Sequence, residues 1–233
     1  MIFLPGTDQQ IKFFLNSTDI KAKKLLIVGT GTSEISKKFL DYEPSEMIII
    51  VENYESLITM RYLNEKSGSK NIKIRMMELA NTDFSTSSFD IIYAQGSVSG
   101  SGRNKIIKEI KRILKTGGTF CAGEIVSLNE NPPAFIIDIW GASDLLPLQT
   151  GSLSKYYEER GFEILEIKDL SFTLKDFYRQ SEKLFSDEMD SLSEEEKSFH
   201  KKYLKKISHE SNAYLKLGGS EFMGFTALIM RKQ

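Results

Sequence analysis

The chain has 233 residues, with 31 Lys plus Arg against 32 Asp plus Glu and a formal net charge of −1. That balance excludes a dedicated polyanion binder, which normally carries a conspicuous basic footprint, so no nucleic-acid partner is expected. A 40% hydrophobic content excludes global disorder, and a lone cysteine, Cys121, excludes an internal disulfide or a cysteine-built zinc site and fits a reducing, cytoplasmic setting. The start, MIFLPGTDQQ, lacks the basic and apolar regions of a signal peptide. No apolar run approaches the ~18 residues of a membrane span, so no membrane partner is expected.

In chain order, short apolar runs alternate with amphipathic segments, the pattern of βαβ units around a parallel sheet. Residues 25–28 read as a buried strand ending in glycine, followed by a helix over 33–40. A second strand over 47–51 leads into a helix over 54–66, and 72–76 alternates like a half-covered strand. Residues 89–94 form a fourth strand, 104–114 an amphipathic helix, and Lys115-Thr116-Gly117-Gly118 turns into a fifth strand over 119–122. Beyond it, 134–140 and 152–160 have helical spacing and 162–167 is a sixth strand. The region 174–217 is charge-rich and helical, with Ser193-Glu194-Glu195-Glu196 as a helix opening, and 225–230 is the last strand. The expectation is one domain over 1–233, with 125–160 and 172–217 as cap elements.

Three strand ends carry candidate chemistry. Gly29-Thr30-Gly31 joins the first strand to its helix, where glycine permits a tight turn and close backbone approach to a ligand. Glu52, followed by Asn53, closes the second strand roughly 20 residues later, where a carboxylate can accept hydrogen bonds from ribose hydroxyls. After the third strand, in Met77-Glu78-Leu79-Ala80, a side-chain acceptor, Glu78, and a nearby backbone N–H can meet the edge of an adenine, with Leu79 or Met77 against its face. Taken singly, each also reads as an ordinary turn or a solvated carboxylate.

Together these residues resemble the class I S-adenosylmethionine-dependent methyltransferases. The resemblance spans nearly the whole chain: Gly29-Thr30-Gly31, Glu52, Glu78, Ser88-Phe89-Asp90, Leu114-Lys115-Thr116-Gly117-Gly118, Glu159-Arg160-Gly161-Phe162 and Met230-Arg231-Lys232 fall in the family's order. Leu4-Pro5-Gly6, Tyr93-Ala94-Gln95-Gly96-Ser97 and Asn131-Pro132-Pro133 look like a bacterial and archaeal subgroup with small-molecule acceptors. The resemblance implies an α/β fold: a Rossmann-like, seven-stranded, mostly parallel sheet with an antiparallel last strand, helices on both faces and a helical cap. It also implies S-adenosyl-L-methionine as cofactor, held by Gly29, Thr30, Gly31, Glu52, Asn53, Glu78, Leu79 and Gln95, and in-line methyl transfer to a small molecule by a monomer or homodimer. Two positions depart from the pattern: Ile27 stands where the family usually has an acid, and Ser33 where it has a third glycine.

On the acceptor side the candidates are Gln95, Ser97, Glu124 and Trp140. Gln95 either orients a polar acceptor or satisfies loop backbone, Glu124 is a base or a structural acid, and Trp140 is a pocket wall or core. Tyr157, Tyr178, Tyr203 and Tyr214 are available to line a cap. His200 and His209 are nine apart, not the i, i+4 spacing of a helical metal pair, and no metal is expected. Two other readings remain: an NAD(P)-dependent Rossmann oxidoreductase, disfavoured by Glu34 where a pyrophosphate would lie, and a non-catalytic methyltransferase-like binding protein.

Overall fold

A computed structural model of the protein describes residues 4–29, 33–67, 72–191 and 208–233. The elements are α1 (Thr7–Ser17), β1 (Lys24–Val28), α2 (Ser33–Leu40), β2 (Glu46–Val51), α3 (Tyr54–Ser67), β3 (Ile72–Met76), β4 (Phe89–Gln95), α4 (Arg103–Ile113) and β5 (Leu114–Ser127). There follow α5 (Ala134–Ala142), β6 (Leu148–Gln149), α6 (Leu153–Glu158), β7 (Phe162–Asp169), α7 (Thr173–Ser191), a helix α8 over 208–216, and β8 (Met223–Lys232).

The sheet order is β3-β2-β1-β4-β5-β8-β7, parallel through β5, with β8 antiparallel to both of its neighbours. The interior strands are apolar at successive positions because both faces are covered. Leu25 and Ile27 of β1 join one core cluster, Leu26 and Val28 the other. The first cluster takes side chains from α1, α2, α3, α5, α7 and α8; the second takes them from α4 and α6. Across the first, Phe14 of α1, Phe39 of α2 and Tyr93 of β4 form a ring cluster with centroids 5.1–5.5 Å apart. Each such fully buried ring contributes ~1.5–3 kcal/mol from burial, so the helices flanking β1 and β4 are held firmly near the ends of those strands.

Three features differ from the sequence expectation. The fifth strand begins at Leu114 rather than 119: it pairs with Phe89 before the Gly117 turn, and the register then shifts to Ile91↔Thr119. A two-residue strand, β6, adds a parallel partner to the end of β5 at Val126 and Ser127, too short to leave any periodicity. Helix α1 precedes the expected first strand; its N-cap is Gly6 in the left-handed region with no side-chain cap, so the usual start signal is missing. The expected helix opening at 193–196, and with it His200 and Tyr203, lies outside the described residues.

Candidate active site

The order β3-β2-β1-β4-β5 reverses direction at β1, and the crevice beyond the carboxyl ends of β1 and β4 is where this architecture places ligands. Gly29 follows β1 with φ +113, a conformation side chains avoid, and its N–H donates to the Ile50 carbonyl at 3.1 Å. A Cβ there would sit 2.8 Å from the Cβ of Ser97. Glycine therefore lets the turn after β1 lie directly against the loop after β4, where the Ser97 hydroxyl donates to the Val28 carbonyl at 3.1 Å. Thr30 and Gly31 lie outside the described residues, and Ser33 opens α2.

At the next strand end Glu52 is exposed and accepts the Leu79 N–H at 3.0 Å, so the carboxylate is steered by the segment after β3. Met77 N–H donates to the Val51 carbonyl at 3.1 Å and reinforces that junction. Asn53 accepts the Ser56 N–H at 2.8 Å, the geometry of a cap on α3. Glu78 is exposed, while Leu79 is 4% exposed and packs in the second core cluster. The structure thus brings Glu52 and Leu79 together, but the Leu79 N–H and side chain are both engaged within the protein.

Gln95 is 2% exposed, with a fully used amide. Its Nε2 donates to the carbonyls of Pro5 and Thr7, both at 2.8 Å, and its Oε1 accepts the Tyr93 hydroxyl at 2.7 Å. Of the two roles read from the sequence, this geometry is that of satisfying backbone: Gln95 fastens the segment before α1 across the end of β4. Glu124 is buried completely, with the Arg103 guanidinium 2.8–2.9 Å away and the Tyr157 hydroxyl donating to its other oxygen. Burial pushes its carboxyl above the usual carboxylate range, and Arg103 and Tyr157 pull in the opposite direction. A carboxylate so enclosed has no open path to an acceptor.

Trp140, 7% exposed on α5, belongs to the first core cluster, and its indole N–H has no partner among the described residues. Tyr178 of α7 and Tyr214 of α8 stack at 4.7 Å on the same face, whereas Tyr157 lies on the opposite one. His209 is exposed. Arg103 and Ser99, which the sequence reading did not single out, prove to be polar anchors of the loop after β4. The only available signal was their place in the run Gly96-Ser97-Val98-Ser99-Gly100-Ser101-Gly102-Arg103 leading into a helix.

The sequence pattern of a family described as "Methyltransferase domain" matches residues 20–212, most of the chain. The chain belongs to that family. Its fold and motif order make it a class I methyltransferase with S-adenosylmethionine as cofactor. Among curated proteins, this methyltransferase is 25% identical over 217 residues to the sarcosine/dimethylglycine N-methyltransferase of Aphanothece halophytica, covering 90% of this chain and 76% of that protein. Among solved structures, it matches the 4+2 cyclase SpnF with a TM-score of 0.80 at 20% identity, over 97% of this chain and 80% of that one. Phosphoethanolamine N-methyltransferase 2 of Haemonchus contortus, solved with phosphomonomethylethanolamine and S-adenosylhomocysteine, matches with a TM-score of 0.80 at 13% identity. That match covers 100% of this chain and 54% of the other. These two likenesses concern the fold.

Proposed function

We propose that this methyltransferase carries a methyl group from S-adenosylmethionine to a small-molecule acceptor, with the cofactor across the ends of β1, β2 and β3. The observation that carries the reading is the close approach of Gly29 to Ser97 at the β1–β4 crevice, beside the exposed, backbone-steered carboxylate of Glu52. These residues fit the cofactor. Gly29 would face its methionine part, Glu52 would take the ribose hydroxyls next to Asn53, and Glu78 would meet the adenine edge. With Leu79 packed in the core, half-buried Met77 is the better placed of the two to meet the adenine face. Ile27, fully buried, contributes no carboxylate to the methionine ammonium.

When bound, S-adenosylmethionine supplies an electrophilic methyl on a sulfonium that is its own leaving group. What remains for the protein is orientation. Holding donor and acceptor in line contributes up to ~7–11 kcal/mol through effective concentration. The loop after β4 carries Ser97 at the boundary between the two. Helices α5, α7 and α8, which pack on one face of the sheet, support an acceptor pocket covered from that side. The relatives that methylate sarcosine, dimethylglycine or phosphoethanolamine by name support a small acceptor of this kind. No helix among the described residues is long and apolar enough to cross a membrane, and Cys121 is buried with its thiol pushed up to about 12. A single cysteine in the whole sequence, with no partner for an internal disulfide, supports a reducing, cytoplasmic setting.

Glu52→Ala tests the assignment. It is expected to weaken S-adenosylmethionine binding by about 1–3 kcal/mol, as loss of a carboxylate acceptor does, while the circular dichroism spectrum stays unchanged. Unaltered affinity would remove Glu52 from the site.

A further inference from the structure

Glu124, the acid that no open path connects to the crevice, is the hub of a buried polar cluster. Arg103 Nε donates to its Oε2 at 2.9 Å, with Nη2 2.8 Å from the same oxygen, and Tyr157 donates to Oε1. The Ser99 hydroxyl, on the loop before Arg103, accepts the Ile125 N–H at 3.0 Å. Arg103 and Glu124 have side-chain exposures of 7% and 0%. A pair this deep gains little net stability, since the cost of desolvating both charges offsets most of their attraction. What the cluster does achieve is positional. Ser99 and Arg103 lie in and just after the loop 96–102, so adjacent residues of β5 hold that loop at two points, the Ile125 N–H on Ser99 and the Glu124 carboxylate on Arg103. The same loop presents Ser97 to Gly29, where only the absence of a Cβ allows the approach.

We propose that Glu124 is a positioning residue for methyl transfer: through Arg103 it sets the loop after β4 against Gly29, and so controls cofactor affinity without touching the cofactor. The inference rests on the cofactor placement above, and one of its two readouts is independent of that placement. The first readout is amide hydrogen exchange of the ligand-free protein. In Glu124→Gln, residues 96–102 are expected to exchange at least ten-fold faster than in the parent, with β2 and β3 unchanged. Unchanged exchange in 96–102 overturns the proposal, whether or not any cofactor binds.

The second readout separates position from stability. Glu124→Gln is expected to weaken S-adenosylhomocysteine binding about ten-fold and to raise KM for the cofactor more than it lowers kcat. The double variant Glu124→Leu with Arg103→Met leaves no unpaired buried charge and should recover the parental Tm, yet it should keep the weakened affinity. If affinity returns together with Tm, the pair is merely structural and the proposal fails. Failure of the parent itself to bind S-adenosylhomocysteine would instead count against the cofactor placement, and the exchange experiment would still decide the role of Glu124.

Discussion

Gly29 concentrates two constraints in one residue: a φ of +113 and a neighbour that leaves no room for a side chain. Gly29→Ala must either strain the backbone, at ~1–3 kcal/mol, or push the Ser97 loop away from β1. Urea denaturation should show a loss of about 2 kcal/mol together with weakened cofactor binding; parental stability and affinity would show that the approach is not required. Glu52 works differently. Its contact with the Leu79 N–H is a single, part-buried hydrogen bond to an otherwise exposed carboxylate, so its replacement should be read in ligand affinity rather than in stability.

At the scale of elements, the strand ends opposite the site are tied by charge. Glu46 of β2 lies 2.9 Å from Lys24 of β1 and 2.6 Å from Lys73 of β3. Hydrogen bonds from Lys73 and then Lys24 hold its carboxyl below the usual range. A lowered carboxylate pKa means that its stabilisation is present above the ordinary glutamate value of about 4.3 and is lost as pH falls through the lower folded value. The Lys73 partner is well exposed, which keeps the contribution near ~0.2–1 kcal/mol. Glu46→Gln should therefore lower Tm slightly at neutral pH, and its Tm should fall less steeply than the parent's as the solution is acidified below about pH 4.5. Parallel Tm curves for the two proteins would rule the tie out. At the other end of the sheet, Gln95 joins β4 to the segment before α1, so the acceptor side of the crevice is bounded by chain from before the first strand.

For the molecule as a whole, the βαβ order was legible because the parallel interior strands carry apolar runs such as Leu25–Val28 and Met47–Val51, followed by amphipathic helices. The strand-end residues Gly29 and Glu52 were legible for the same reason: their place follows from where a strand stops. Helix α1 was not, since it starts at a glycine without a side-chain cap, and β6, two residues long, has no period to detect. The roles of Gln95 and Glu124 depend on partners far away in sequence, Pro5 and Thr7 for one, Arg103 and Tyr157 for the other. No local pattern distinguishes a polar residue that meets a ligand from one that satisfies buried backbone or a buried cation. The family match and the antiparallel β8 favour a methyltransferase over a nicotinamide-dependent enzyme.

The most direct measurement is calorimetric titration of the full chain with S-adenosylmethionine, S-adenosylhomocysteine and NAD in parallel. Binding of both sulfur compounds at one site, with no heat from NAD and with affinity reduced in Glu52→Ala, is the predicted result. A well-folded protein that binds neither sulfur compound, or that binds NAD in their place, would contradict the cofactor site placed at Gly29 and Glu52.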